Sequence, residues 1–186
     1  MVHEVLMAGF GGQGVMAMGS LLAYAGMLEG KQVSWLPSYG PEMRGGTANC
    51  HVVISDDPVA CPLVTEPTAA ILLNRPSLDR FENAVRPGGI LIYNSSLIDR
   101  APARTDIRVV PIPANQVAEE LGSGRVANMV CLGAFLALTR AVSPAAVSES
   151  LRKAFPPHRH DLIPVNEAAL RRGRELTLSV SWAMPE

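Results

Sequence analysis

Three glycines, Gly9, Gly11 and Gly14, fall between an apolar run at residues 2–8 and a stretch with helical spacing at residues 15–28. This succession of strand, glycine turn and helix restricts the fold more than any other feature of the chain. In dinucleotide-binding folds, glycines at this spacing permit a tight turn and close approach of a pyrophosphate. The phosphates then meet the free N–H groups and positive dipole end of the helix. Three readings fit the turn: glycine needed only for strand-to-helix packing, contact with an anion or cofactor, or full NAD binding. The last calls for an acidic residue about twenty positions on, to hold a ribose hydroxyl. At that place the chain offers Val33, Ser34, Trp35, Leu36 and Pro37.

The remaining chain alternates strand-like and helix-like segments. Residues 32–36 and 51–55 are β-prone, and Asp56-Asp57-Pro58 stops the second. Residues 69–73 form an uninterrupted apolar run of the kind covered on both faces, and Pro76 opens a short helix. Residues 90–93 and 108–112 are further strand candidates; residues 115–121, 128–139 and 165–176 are helix candidates. Ser143-Pro144 supplies an N-cap and a first-turn proline for another helix, which ends before Pro156-Pro157. The expected fold is a single Rossmann-like α/β domain over residues 1–186, with a mainly parallel sheet flanked by helices on both faces.

Composition narrows the function classes. The 186 residues are 48% apolar and 18% charged, below the roughly 25% charge of typical soluble domains, which implies apolar surface that meets a partner. Sixteen Lys and Arg against 17 Asp and Glu give no global field favouring nucleic acid or an anionic membrane. Cys50, Cys61 and Cys131 are widely spaced, odd in number and form no CxxC pair. That pattern fits a reducing cytoplasm and lacks the clusters that hold zinc or iron–sulfur centres. The longest apolar helix candidate falls short of the roughly 20 residues of a membrane span, and a signal pattern is missing.

The stretch at residues 38–50 is chemically dense. Gly40-Pro41 fixes a bend, Glu42 and Arg44 place opposite charges on a short arm, and Gly45-Gly46 admits close backbone approach. Arg44 suits forked binding of a carboxylate or phosphate, and the Ser38 and Thr47 hydroxyls can donate to the same anion or cap local backbone. Elsewhere the plain readings prevail. His158 and His160 flank Arg159 in a basic turn, Cys50 and Cys131 are small core residues, and Cys61 is more exposed. Asn128 caps a buried helix, Asn94 caps or lines a pocket, and Arg171, Arg172 and Arg174 form a solvated face.

Two motifs, Gly11-Gly12-Gln13-Gly14-Val15 and Pro37-Ser38-Tyr39-Gly40-Pro41-Glu42-Met43-Arg44-Gly45-Gly46-Thr47-Ala48-Asn49-Cys50, together resemble the gamma subunit of 2-oxoacid:ferredoxin oxidoreductases. The second motif most resembles the 2-oxoglutarate and 2-oxoisovalerate types; indolepyruvate enzymes share the glycine turn and differ in the second loop. The resemblance implies a subunit of a cytoplasmic hetero-oligomer that oxidatively decarboxylates a 2-oxoacid, yields an acyl-CoA and passes electrons to ferredoxin. Thiamine diphosphate would lie between alpha and beta subunits and iron–sulfur clusters on beta or delta.

On this resemblance the chain packs on alpha, is inactive alone and carries neither catalytic residues nor a metal site. Gly11, Gly12, Gln13, Gly14, Ser38, Tyr39, Arg44, Gly45, Gly46 and Thr47 would face alpha or the phosphates of coenzyme A. A self-contained nucleotide-binding oxidoreductase and a pure scaffold are the alternatives.

Overall fold

The N-terminal apolar run is strand β1 (Val2–Phe10), followed by α1 (Val15–Leu28), β2 (Gln32–Ser38) and β3 (Thr47–Ser55). Then come β4 (Ala69–Leu72), α2 (Arg75–Phe81), β5 (Ile90–Asn94) and β6 (Arg108–Ile112). The chain finishes with α3 (Ala114–Glu120), α4 (Ala127–Thr139), α5 (Pro144–Ala154) and α6 (Ile163–Leu178). The computed structural model describes residues 1–38 and 47–179.

The strands form one sheet in the order β2-β3-β1-β4-β5-β6. β1, β4, β5 and β6 run parallel, whereas β3 is antiparallel to both β1 and β2. The expected mainly parallel α/β sheet is therefore present, with one antiparallel strand inserted beside β1. Val5 and Met7 of β1 belong to the core on one face, and Leu6 and Ala8 to the core on the other. Burial on both sides is why this strand reads as a continuous apolar run without alternation.

The two faces are covered unequally. Helices α1, α3, α4, α5 and α6 contribute to one core, while α2 and residues 85–107 close the other through Leu78, Val85, Ile98 and Ile107. Helix α4 is buried at every position from Asn128 to Leu136. A helix apolar all round needs neighbours all round, and it lies between the sheet and α6.

Local signals hold where they are strong. The Ser143 side chain accepts the Ala146 N–H at 3.2 Å and caps α5, and Asn74 caps α2 through the Ser77 N–H at 2.9 Å. Helix α4, however, begins at Ala127 with Val126 as N-cap, so Asn128 is inside its first turn and does not cap it. Cys50 and Cys131 are fully buried and Cys61 is exposed, as the sequence suggested. Among the described residues no helix is long and apolar enough to cross a membrane.

Candidate functional site

The chain leaves β1 into α1 on one face of the sheet, and leaves the adjacent β4 into α2 on the opposite face. Open α/β sheets hold ligands in the crevice at the carboxyl ends of such diverging strands. The glycine turn lies at this point. Gly12 and Gly14 have φ of 90° and 78°, backbone that side chains with a Cβ rarely adopt.

Gln13 locks the turn. Its Oε1 accepts the Phe10 N–H at 2.6 Å, and its Nε2 donates to the Leu73 carbonyl beyond β4 at 3.3 Å. Gly14 is the N-cap of α1, and its carbonyl accepts the Met18 N–H at 2.9 Å. Gly11 and Gly12 are exposed, so their backbone is open to a ligand.

Beside the turn is a cleft of about 150 Å³. Gly12, Gln13, Asn94, Asn115, Arg125 and Asn128 line it. Asn94 is 1% exposed; its Nδ2 donates to Asn115 Oδ1 at 2.7 Å and its Oδ1 accepts the Ala114 N–H at 3.2 Å. Ala127 and Asn128 of the first turn of α4 line the cleft together with Arg125, beside the glycine turn that leads into α1, so the positive end of α4 and a basic residue lie next to the turn. The chemistry of these groups suits an anion, and among the described residues that line the cleft there is no nucleophile.

The second motif meets the first through the antiparallel arm. Phe10, next to the turn, lies opposite Thr47, the first residue of β3, and the exposed Ser38 at the end of β2 lies opposite Asn49. Both ends of the connection between β2 and β3 thus emerge at the carboxyl end of β1. Tyr39, Glu42, Arg44, Gly45 and Gly46 lie outside the described residues. Behind the turn, the Cys50 thiol donates to the Val15 carbonyl at 3.7 Å, and burial pushes its pKa up to about 12.

Asn115 and Arg125 carried no signal in the sequence, since a polar residue near a helix start is ordinary. Asn94 was legible as a pocket or capping residue because it ends an apolar strand, and it does both. The position of β3 also bears on the dinucleotide reading. In a dinucleotide fold the second strand adjoins the first, but here β3 separates β2 from β1, and β2 ends in Leu36, Pro37 and Ser38.

Fold and cleft together define an open α/β protein with a glycine turn at its switch point. A family model described as pyruvate ferredoxin/flavodoxin oxidoreductase matches residues 4–176. The chain belongs to this family, as its two motifs suggested. It is 47% identical over 135 residues to the ketoisovalerate oxidoreductase subunit VorA of Methanothermobacter marburgensis, a match covering 73% of this chain and 28% of the relative.

Among the solved structures that resemble it is the gamma subunit of a keto/oxoacid ferredoxin oxidoreductase from Geobacter sulfurreducens, with 30% identity, TM-score 0.82, and coverage of 96% of this chain and 99% of that one. Another is a 2-oxoglutarate:ferredoxin oxidoreductase from Magnetococcus marinus with 2-oxoglutarate, coenzyme A and succinyl-CoA bound. Its identity is 26%, its TM-score 0.88, and the match covers 99% of this chain and 32% of that one. The chain thus spans about a third of the length of VorA and of the Magnetococcus polypeptide.

Proposed function

We propose that the chain is the gamma component of a cytoplasmic 2-oxoacid:ferredoxin oxidoreductase, packed on an alpha subunit and completing its approach for coenzyme A. The observation that carries this reading is that the glycine turn and the two described ends of the second motif, Ser38 and Thr47, lie at one end of the sheet. The glycine turn, the N-terminus of α4 and Arg125 suit the phosphates of coenzyme A, and the loop bearing Arg44 starts and ends beside them. Large exposed apolar side chains on α1 and β2, among them Met27 at 60% and Trp35 at 37%, suit burial against partner subunits.

Gly11, Gly12, Gly14, Ser38, Tyr39, Arg44, Gly45, Gly46 and Thr47 then face coenzyme A or alpha, with Gln13 holding the turn in shape. The donor set here does not fit an iron–sulfur cluster. Cys50 and Cys131 are buried on different elements, and among the described residues no three potential metal ligands come together. On the proposed reading, the clusters lie on the beta or delta subunits and thiamine diphosphate lies between alpha and beta. The thiamine supplies the carbon chemistry, and this chain supplies binding and exclusion of water. Substrates are 2-oxoglutarate or a branched-chain 2-oxoacid, the former named for the Magnetococcus enzyme and a branched-chain acid for VorA.

The test is Arg44→Ala in the complex reconstituted with its partner subunits. Loss of a charge-assisted contact worth about 1.5–3 kcal/mol raises the KM for coenzyme A by roughly ten- to a hundredfold. An unchanged KM with intact assembly removes Arg44 from the site, and calorimetric binding of NADH at micromolar affinity by the isolated chain overturns the accessory role.

A further inference from the structure

We infer that Asn128 is the positioning residue of the glycine turn, holding the start of α1 in the orientation that receives the phosphates of coenzyme A. The inference rests on the proposed assignment of the turn to that ligand. Asn128 is 114 residues away in sequence, yet its Nδ2 donates to the Gly14 carbonyl at 3.1 Å. Its Oδ1 accepts the Met129 N–H at 3.0 Å, which fixes the amide orientation. The side chain is only 5% exposed and forms part of the cleft wall.

The Gly14 carbonyl therefore has two donors, the Met18 N–H within α1 and the Asn128 amide from α4. In a trans peptide the carbonyl and the following N–H point in opposite directions. Pinning the Gly14 oxygen from α4 consequently directs the Val15 N–H out of the helix start, where it is one of the donors without an intrahelical partner. Asn128 also occupies the space in which a Cβ on residue 14 would stand. The requirement for glycine there comes from the neighbour as well as from φ. The residues that follow Asn128 in the buried part of α4, from Met129 to Leu136, carry no polar side chain apart from the Cys131 thiol. An amide at position 128 is thus placed where it serves the turn.

Asn128→Asp keeps the shape, removes the donor and puts negative charge on the cleft wall. In the reconstituted complex it raises the KM for coenzyme A about tenfold, equivalent to about 1.4 kcal/mol. The kcat at saturating coenzyme A and the KM for the 2-oxoacid stay within twofold, a split that general destabilisation does not produce. Asn128→Ser, which leaves space without charge, gives a smaller rise in the same constant and carries the test should the aspartate variant not assemble.

Gly12→Ala is measured alongside. No atom lies within 4 Å of where a Cβ on Gly12 would stand, but its φ is 90°, so an alanine there perturbs the exposed turn itself without touching Asn128. If Gly12→Ala raises the KM for coenzyme A and the Asn128 variants do not, the positioning role is wrong and the site assignment stands. If neither position affects it, the assignment of the turn to coenzyme A falls, and the inference with it. Failure of both Asn128 variants to assemble also overturns the inference, since the residue then serves the fold alone.

Discussion

Gly173 of α6 lies directly against the backbone carbonyl of Val130 in α4, with no room for a side chain between them. One turn away the arrangement is reciprocal, and Gly133 of α4 meets the Leu170 carbonyl of α6. The two helices touch backbone to backbone, so Gly173→Ala must push them apart. Overpacking of this kind costs about 1–3 kcal/mol, and each kcal/mol lowers Tm by roughly 2–4 °C in a chain of this size. Thermal unfolding followed by circular dichroism measures the loss; an unchanged Tm would mean that the helices do not cross at these residues.

Gln13 joins the ends of two parallel strands, so its effect is local to the turn. Gln13→Ala removes both bonds and costs about 1–3 kcal/mol. Gln13→Glu keeps the acceptor for Phe10 but sets a carboxylate oxygen against the Leu73 carbonyl. Gln13→Ala speeds hydrogen exchange at the Phe10 amide and Gln13→Glu does so less, because it retains the acceptor, whereas amides in the middle of β1 respond only as far as overall stability falls.

His51 in β3 secures the segment that joins β3 to β4. Its Nδ1 accepts the Val64 N–H at 3.2 Å, a role open only to the unprotonated ring. Burial lowers its pKa from the ordinary 6.5. The unfolded chain therefore takes up the proton first, and stability present above pH 6.5 is lost as the pH falls through the depressed folded value. His3 acts in the same sense, lowered by burial and then by Lys31. Urea midpoints on either side of pH 6.5 should differ less in His51→Asn than in the unaltered chain, with a residual fall owed to His3.

The three cysteines separate by reactivity. Burial pushes Cys50 and Cys131 up to about 12, while Cys61 is exposed. Alkylation of the folded chain at mildly alkaline pH should label Cys61 alone, and denaturant should release the other two. Mass spectrometry of the labelled peptides distinguishes this from labelling of Cys50, which would require the strand behind the glycine turn to open.

What could be read in the sequence was local. Periodicity, the Ser143-Pro144 cap and the glycine spacing placed every strand and nearly every helix, because each depends on residues within one or two turns of one another. The residue pattern at 38–50 pointed to the family for the same reason, being contiguous. In the sequence Asn128 reads as a cap, because asparagine before an apolar helix usually is one. Its partner, Gly14, could not be seen from residue 128.

By itself, then, the sequence determined the succession of elements, the glycine turn and the identity of the two motifs. Only the tertiary structure decided that β3 would insert antiparallel beside β1, that Ser38 and Thr47 would lie at the same end of the sheet as the glycine turn, and that α4 would bring Asn128 to the Gly14 carbonyl. The physical reason is distance along the chain. Turn chemistry and helix spacing are set by neighbours, whereas strand order and cleft walls follow from which distant apolar faces bury each other with all their backbone groups paired.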